Sequence, residues 1–469
     1  MKPQLNHKKK TRAPGAVSEA AAWRDATWAS LEGNASTEAS RAFTEAVYAL
    51  SVQELERGEA TGNTKTNRKK LRLAVAAFLA DLLSAPREWV YRSLKNTSFT
   101  GPVGRRSFFP LQRVLQKLGF VEHKQGVIQW FGGFDESGPE QIERRWASRY
   151  RATDKLIALA AEHGITSDNV LDNFDYGLPK EPLQKRAAST RDADTGRKLQ
   201  GRIIKFEPDD LSRKLEADVH ELNEYLAKQA FGGGCVHRGY LRIFQNGDSQ
   251  RFNWDQGGRL YSQPPDTNYQ QQKGAKRLEI TINGSPVVEI DLRASYLTIF
   301  HAWHGKQLAV DTDPYVIPEL GEEAREVVKL CVAATFGNIT PLTKWPSDLL
   351  KAYEKKNRHP LDRKRYPITK LREKIIAHHP ILDQWGKPLD GRVRTWADLM
   401  FAESRVIVDT MLWLKRNKDV PSLAVHDSLI VAQEHEGLTA RTIKAVYFGH
   451  LNVVPLIKIN GPATSSLRS

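Results

Sequence analysis

Apolar residues recur at helical spacing in some stretches of the chain and run together or alternate in others, and this pattern predicts the elements. Residues 36–57 read as a helix with Phe43, Ala46, Val47 and Leu50 on one face, stopped by Gly58. Helices follow over 67–84, briefly over 88–94, and over 107–118, where Phe108, Leu111, Val114, Leu115 and Leu118 share a face. Gly119 ends that helix ahead of a hairpin predicted over 120–130. A basic helix is predicted over 139–163, with Arg144, Arg145, Arg149 and Arg151 interleaved with Trp146 and Tyr150. Prolines and polar residues make 178–200 a linker. Residues 209–230 form a helix carrying Leu211, Leu215, Val219, Leu222 and Leu226, closed by Phe231 and three glycines. Strands are expected over 239–244 and 277–282. Val287, Val288 and Ile290 then make an apolar strand that runs into Asp291, and an amphipathic helix starts at Ser295. A long helix over 395–416 presents Leu399, Ala402, Val406, Met411 and Leu414. Two apolar half-strands, 423–425 and 429–431, flank His426, Asp427 and Ser428 as a polar hairpin tip. A helix over 438–450 and a strand over 453–459 follow.

Composition narrows the partners. The 469 residues suffice for several domains, and 70 Lys and Arg against 55 Asp and Glu give a net charge of +15, which points to a polyanionic partner. Two cysteines, Cys235 and Cys331, exclude a disulfide framework and a cysteine metal site, and fit a reducing, cytoplasmic setting. The most apolar stretch, 71–83, is cut by Arg72 and Asp81, so no membrane partner is expected. The first residues, MKPQLNHKKKTR, are basic with no apolar segment after them and read as a tail.

A carboxylate at the end of a buried strand is costly unless a cation meets it. Asp291 alone would read as the cap of the helix that follows it. A second aspartate at a second strand end, Asp427, changes that reading, because two carboxylates converging from separate strands are what a two-metal site requires. Arg325 and Lys329 are four apart among Val327, Val328, Leu330, Val332 and Ala333. They share one helix face, either to reach a triphosphate together or as a solvated pair.

Four short motifs in order then resemble a known family. Gly257, Gly258, Arg259, Leu260, Tyr261 and Ser262, followed by Pro264, Pro265, Asp266, Asn268 and Gln270 to Gln272, resemble the Thr-Gly-Arg-Leu-Ser-Ser and Asp-Pro-Asn-Leu-Gln-Asn elements before the first catalytic aspartate of family-A DNA polymerases. Single-subunit phage-type RNA polymerases carry a similar Gly-Arg-Val-Tyr. Arg325, Lys329, Phe336 and Gly337 resemble the family's fingers helix, although Phe336 lies seven residues after Lys329 where the family's aromatic lies eight after. His426, Asp427 and Ser428 are similar to the family's His-Asp-Glu, and closer to the His-Asp-Ser of the RNA polymerases. The resemblance spans residues 257–460.

It implies an α+β fold: a right-hand polymerase palm, with an antiparallel sheet and helices, plus helical fingers, after a mainly α N-terminal half whose three helices and hairpin resemble a winged helix. The expected organisation is a basic tail and helical segment over 1–63, a winged-helix-like domain over 64–135, and a basic helix and linker over 136–205. A thumb-like helix and the start of the palm follow over 206–287, and the palm and fingers catalytic region over 288–469. In the winged-helix reading Arg105, Arg106, Arg113, Lys117 and Lys124 face phosphates. The implied function is template-directed nucleotidyl transfer by a small DNA polymerase. No Asp-x-Glu exonuclease motif stands in an upstream strand, so proofreading is not expected. Asp291 and Asp427, with the Leu292 carbonyl, would bind two Mg²⁺ ions, with Mn²⁺ as an alternative. Lys329 would neutralise the triphosphate and protonate the leaving pyrophosphate, and Arg325 would hold the outer phosphates. Phe336 and Tyr296 would meet the nucleotide, and Arg259 and His426 the primer-template. Tyr296 stands five residues after Asp291, where family A has a glutamate and phage-type RNA polymerases a small residue; family-B polymerases use a tyrosine there against the ribose 2′-hydroxyl. The expected partners are therefore a DNA primer-template, or RNA, and dNTPs. The rivals are a primase or single-subunit RNA polymerase, and a winged-helix DNA-binding regulator with a relic palm.

Overall fold

The computed structural model describes residues 26–461, apart from 60–66, 85–86, 96–97, 100, 132–141, 168, 192–197 and 264–267. The first 25 residues of the expected tail, with Pro264, Pro265 and Asp266, lie outside the described residues. The chain is mixed α+β and divides into two compact units, Met1–Gly177 and Leu178–Ser469.

The first unit is built on α1 (Glu38–Glu59), α2 (Arg68–Ser84) and α3 (Arg105–Lys117). Leu71, Val75, Phe78, Leu79 and Leu82 of α2 are all buried, and Phe108, Leu111 and Leu115 of α3 close over them. A four-stranded sheet completes the core in the order β1 (Thr27–Trp28), β2 (Val90–Arg92), β6 (Ser148–Ala152), β3 (Val121–Lys124). Strands β4 (Ile128–Phe131) and β5 (Ile142–Arg145) pair with each other beyond it, so 121–131 runs out and 142–152 returns as one long two-step hairpin.

Three expectations are corrected here. Residues 88–94 contain a strand, β2, because Arg92 is buried, with its guanidinium donating to the Ala29 carbonyl at 2.7 Å and lying 4.3 Å from the Trp28 ring. The hairpin over 120–130 does not close on itself, since β3 finds its partner in β6. The basic helix over 139–163 is two strands followed by α4 (Asp154–Glu162), capped by Thr153. Tyr150 decides this: it is fully buried, stacked on His123 at 4.9 Å and edge-on to Phe78 and Phe108, contacts available only from a strand paired to β3. The N-terminal unit is therefore mixed rather than mainly α.

In the second unit the predicted linker over 178–200 contributes β7 (Leu183–Arg186) to a sheet ordered β8 (Ile203–Ile204), β7, β9 (Tyr240–Phe244), β10 (Gly257–Ser262). Leu183 joins a small core with Phe244 and Trp254, which outweighs the local turn-forming composition. Helix α5 (Asp210–Leu226) begins with a capping box of Asp209 and Ser212. The main sheet centres on β11 (Ser285–Arg293), entered through a tight turn at Asn283 and Gly284, both at positive φ. Helix α6 (Ser295–Trp303) follows β11, and then α7 (Arg325–Phe336), α8 (Ser347–Asn357) and α9 (Ile368–His378). The long α10 (Trp396–Lys418) leads into the hairpin of β12 (Ser422–Val425) and β13 (Ser428–Ala432), then α11 (Glu436–Leu451) and β14 (Leu456–Asn460). Strand β11 is antiparallel to β13 on one side and to β14 on the other. Gly258 lets α10 sit close on β10: a Cβ there would meet Phe244 and the Ser404 hydroxyl, which itself donates to the Gly257 carbonyl at 2.9 Å.

Candidate active site

Asp291 lies near the end of β11, opposite Ser428 across one ladder and Lys458 across the other. Asp427 occupies the two-residue turn between Val425 and Ser428, and its carbonyl accepts the Leu292 amide at 3.0 Å. The two aspartates are thus fixed to one another through main chain. His426, the other turn residue, has φ 56°, and Ala294, which joins β11 to α6, has φ 49°. Two non-glycine residues therefore hold left-handed backbone on either side of the pair, a strain of order 1–3 kcal/mol each that tightly determined surroundings must offset. Burial, then the nearby Asp427 and Glu289 carboxylates, push the Asp291 carboxyl up to about 6, while Lys329 and Lys458 oppose the shift.

Two buried ion pairs have their carboxylates within electrostatic reach of the aspartates. Glu289 accepts both prongs of Arg277, at 3.0 and 2.7 Å, and a bond from the Ser428 hydroxyl at 2.7 Å. Glu403, on α10 and 1% exposed, takes Nε of Arg259 at 3.0 Å and also its Nη2. Burial pushes the Glu403 carboxyl up and Arg259 pulls it back. The same Nη2 of Arg259 reaches the Tyr296 hydroxyl at 3.3 Å. Burial, then Glu403, push that phenol up.

Helix α7 brings the cations. Lys329 is exposed and, among the described residues, has no ion-pair partner within 4.0 Å. Arg325 is engaged by Asp313 at 2.8 Å and Glu326 at 2.8 Å, and Asp313 also takes Arg293 at 2.6 Å. Both α7 cations flank the ring of Tyr315, at 5.9 and 6.0 Å. Burial and then Asp313 push the Tyr315 phenol up, with Asp427 contributing.

Three predicted site residues are engaged with partners within the protein. Arg259 is paired with the fully buried Glu403. Arg325 is paired with Asp313 and with Glu326 of its own helix. Phe336 is 2% exposed, edge-on to Trp385 at 4.9 Å and Phe300 at 5.7 Å, so its ring supports the wall behind Tyr296 and presents no face to a base. Asn268, Tyr269 and Gln270 are buried too: the Tyr269 hydroxyl and the Gln270 amide both donate to the Ala424 carbonyl, at 2.6 and 2.7 Å, and so hold β12. His426 lies 6.2 Å from Tyr261; its Nδ1 is buried without a hydrogen-bond partner among the described residues.

Glu403, Glu289, Asp313 and Tyr315 were not singled out from sequence. Glu403 left a signal, as an acid among Met400, Phe401, Ala402 and Val406. Among the described residues no group of three or more His, Cys, Asp or Glu side chains is placed to hold a metal ion.

No protein-family model matches the chain, and no curated protein does. Among solved structures it is similar to the POL domain of Pol1 from M. smegmatis in complex with DNA primer-template and dNTP, at 16% identity and a TM-score of 0.29. The match covers 53% of this chain and spans half, 50%, of that one. A likeness of that size carries no weight for fold or function.

Proposed function

We propose that the Leu178–Ser469 unit is a template-directed nucleotidyltransferase, a DNA polymerase that extends a primer with dNTPs and lacks proofreading. The observation that supports it most is the main-chain coupling of Asp291, on β11, to Asp427, in the hairpin turn, with Lys329 within electrostatic reach of Asp291. In this reading the sheet around β11, with α10 and α11, is the palm, and α7 to α9 are the fingers.

Asp291 and Asp427, with the Leu292 carbonyl, are the groups that would hold Mg²⁺ or Mn²⁺; the burial and negative crowding that push Asp291 up are what a cation offsets. Bound ions would supply charge compensation at the primer hydroxyl and the leaving pyrophosphate. Lys329 grips the triphosphate by a charge-assisted hydrogen bond and carries a proton the pyrophosphate can take. Arg325 exchanges Asp313 for a phosphate, two anions that suit the same guanidinium fork. Tyr296 bars the ribose 2′ position with a ring that Arg259 fixes through its hydroxyl. Arg259 acts on the sugar through Tyr296.

The test is an extension assay on primed and unprimed templates with dNTPs or NTPs. Extension of primed template with dNTPs is expected, with Asp291→Asn and Asp427→Asn each losing about a thousandfold or more, several kcal/mol of transition-state stabilisation, while duplex affinity holds. Near-normal extension by either variant sinks the reading. A primase or single-subunit RNA polymerase is the second reading, favoured by the Gly-Arg-Leu-Tyr sequence at residues 258–261. Equal use of NTPs, or synthesis on unprimed template, would select it. Ser428 does not separate the two, since its hydroxyl is buried on Glu289.

A further inference from the structure

The polymerase reading leaves the first unit unexplained, and the strongest unused feature there is the outer face of α3. Its buried side is Ser107, Phe108, Leu111, Gln112, Val114 and Leu115. Arg105, Arg106, Phe109, Arg113 and Lys117 occupy the opposite side, within about 120° of arc at 3.6 residues per turn. All four cations are exposed. A basic face on a soluble helix is ordinarily offset by acids at i±3 or i±4, as on α5, where Arg213 and Lys214 alternate with Asp210, Glu216 and Asp218. Here no acidic residue occurs anywhere between Glu88 and Glu122. Lys117 meets Glu54 from α1 at 3.6 Å, while Arg106 and Arg113 have no ion-pair partner among the described residues.

The stripe is also ordered. The guanidinium groups of Arg105 and Arg113 lie 4.9 and 4.5 Å from the Phe109 ring, one on each side along the helix, and Arg105 Nε donates to the Leu94 carbonyl at 2.8 Å. Long side chains held in this way lose less freedom on meeting phosphates than chains waving in solvent. The helix is followed directly by β3 and the long two-step hairpin, and its basic side chains all reach solvent.

We propose that the outer face of α3 is a docking site for double-stranded DNA, with Arg105, Arg106, Arg113 and Lys117 on phosphates along the walls of the major groove. A convex helix 10–12 Å across fits a groove about 12 Å wide. The major groove of an RNA duplex is too narrow for it, and a single strand is bound in a concave groove lined by several aromatics, where α3 offers one half-buried ring. The site belongs to the first unit alone and is independent of the polymerase reading.

The experiment uses the full chain and a blunt duplex of two helical turns, with affinity read by fluorescence anisotropy across a salt series. Arg106→Ala/Arg113→Ala should weaken binding roughly tenfold or more and lower the log–log salt slope by about 1.8, close to 0.9 for each phosphate left without its arginine. Arg106→Lys/Arg113→Lys should restore most of the affinity. Lys69→Ala/Lys70→Ala removes the same charge from exposed positions at the start of α2 and should change neither quantity. Unchanged affinity and slope in the first variant, or equal losses in the α2 control, overturns the proposal. So does an equal loss on single-stranded DNA, on duplex RNA or on vesicles of anionic lipid, because the face would then read charge alone. Lys117→Ala, with a slope change of about 0.9, repeats the test should the double variant melt early. Primer extension by the same variants, measured separately on saturating template, reports on the second unit whatever the outcome.

Discussion

Arg277–Glu289 and Arg259–Glu403 are both buried ion pairs beside the hairpin that carries Asp427, and they differ in where the remaining hydrogen bond goes. Glu289 gives its spare acceptor to the Ser428 hydroxyl, one strand over and fully buried. Arg259 gives its spare donor to Tyr296, a half-buried side chain at the mouth of the proposed site. Similar chemistry thus locks strand register in one place and aims a side chain in the other. A buried pair contributes little net stability over an apolar replacement, but removing one partner strands the other. The pairs are therefore better understood by what they position than by what they add.

The largest effect tests that distinction directly. Glu289→Ala and Glu403→Ala should each cost about 3–5 kcal/mol of unfolding free energy, by denaturant titration, since each leaves a guanidinium buried without its anion. Only Glu403→Ala should also raise NTP incorporation relative to dNTP, because only it releases Arg259 from the geometry that holds Tyr296. An equal change in sugar preference for both, or for neither, would remove the functional difference between the pairs. Tyr296→Ala should raise ribonucleotide incorporation more than Glu403→Ala does, with a smaller loss of dNTP use, as single-turnover kinetics would reveal.

A neutral group gives a sharper contrast still. His237 is half-buried, its Nδ1 2.7 Å from the Ser262 hydroxyl and its Nε2 shut off from solvent, and burial pulls its imidazole down to about 3. Between about 3 and its ordinary value near 6.5 the unfolded chain binds a proton that the fold refuses. Stability should accordingly be complete above about 6.5 and fall as pH drops toward 3, by up to about 1.4 kcal/mol per unit. His237→Asn should flatten that slope in melts between pH 4 and 7; an unchanged slope would assign it to other groups. The smallest effect belongs to Tyr296→Phe, which deletes one hydroxyl and should cost about 1 kcal/mol or less.

Local pattern was enough to read the amphipathic helices, because α5 and α10 write their buried face into a single continuous stretch. It was also enough to place Asp291 and Asp427 at strand ends. What it could not carry was partnership across the chain. Residues 142–152 look helical by the spacing of their arginines and aromatics, and become strands only because β3 and β4, earlier in the chain, are there to pair with them. Arg259 reads as a free cation until Glu403 is seen beneath it, 144 residues away in sequence. The same holds for Arg325 and Asp313. In each case an exposed-looking charge was already paired, and the local pattern around the cation did not say with which acid.

The double pairing of β11 has a consequence for which sequence changes the site can survive. Asp291 is held in register against Ser428 on one side and Lys458 on the other, so the strand cannot slip past one neighbour without breaking with both. Apolar positions such as Val287 and Ile290 can exchange for other branched side chains at modest cost. Loss of a single residue between Val287 and Ile290 is another matter: side chains alternate faces with a period of two, so it would turn Asp291 to the opposite face and bring Leu292 into its place. Strand length is thus constrained far more tightly than strand composition, and insertions or deletions should be tolerated in the loops around this sheet and excluded from the nine residues of β11 itself.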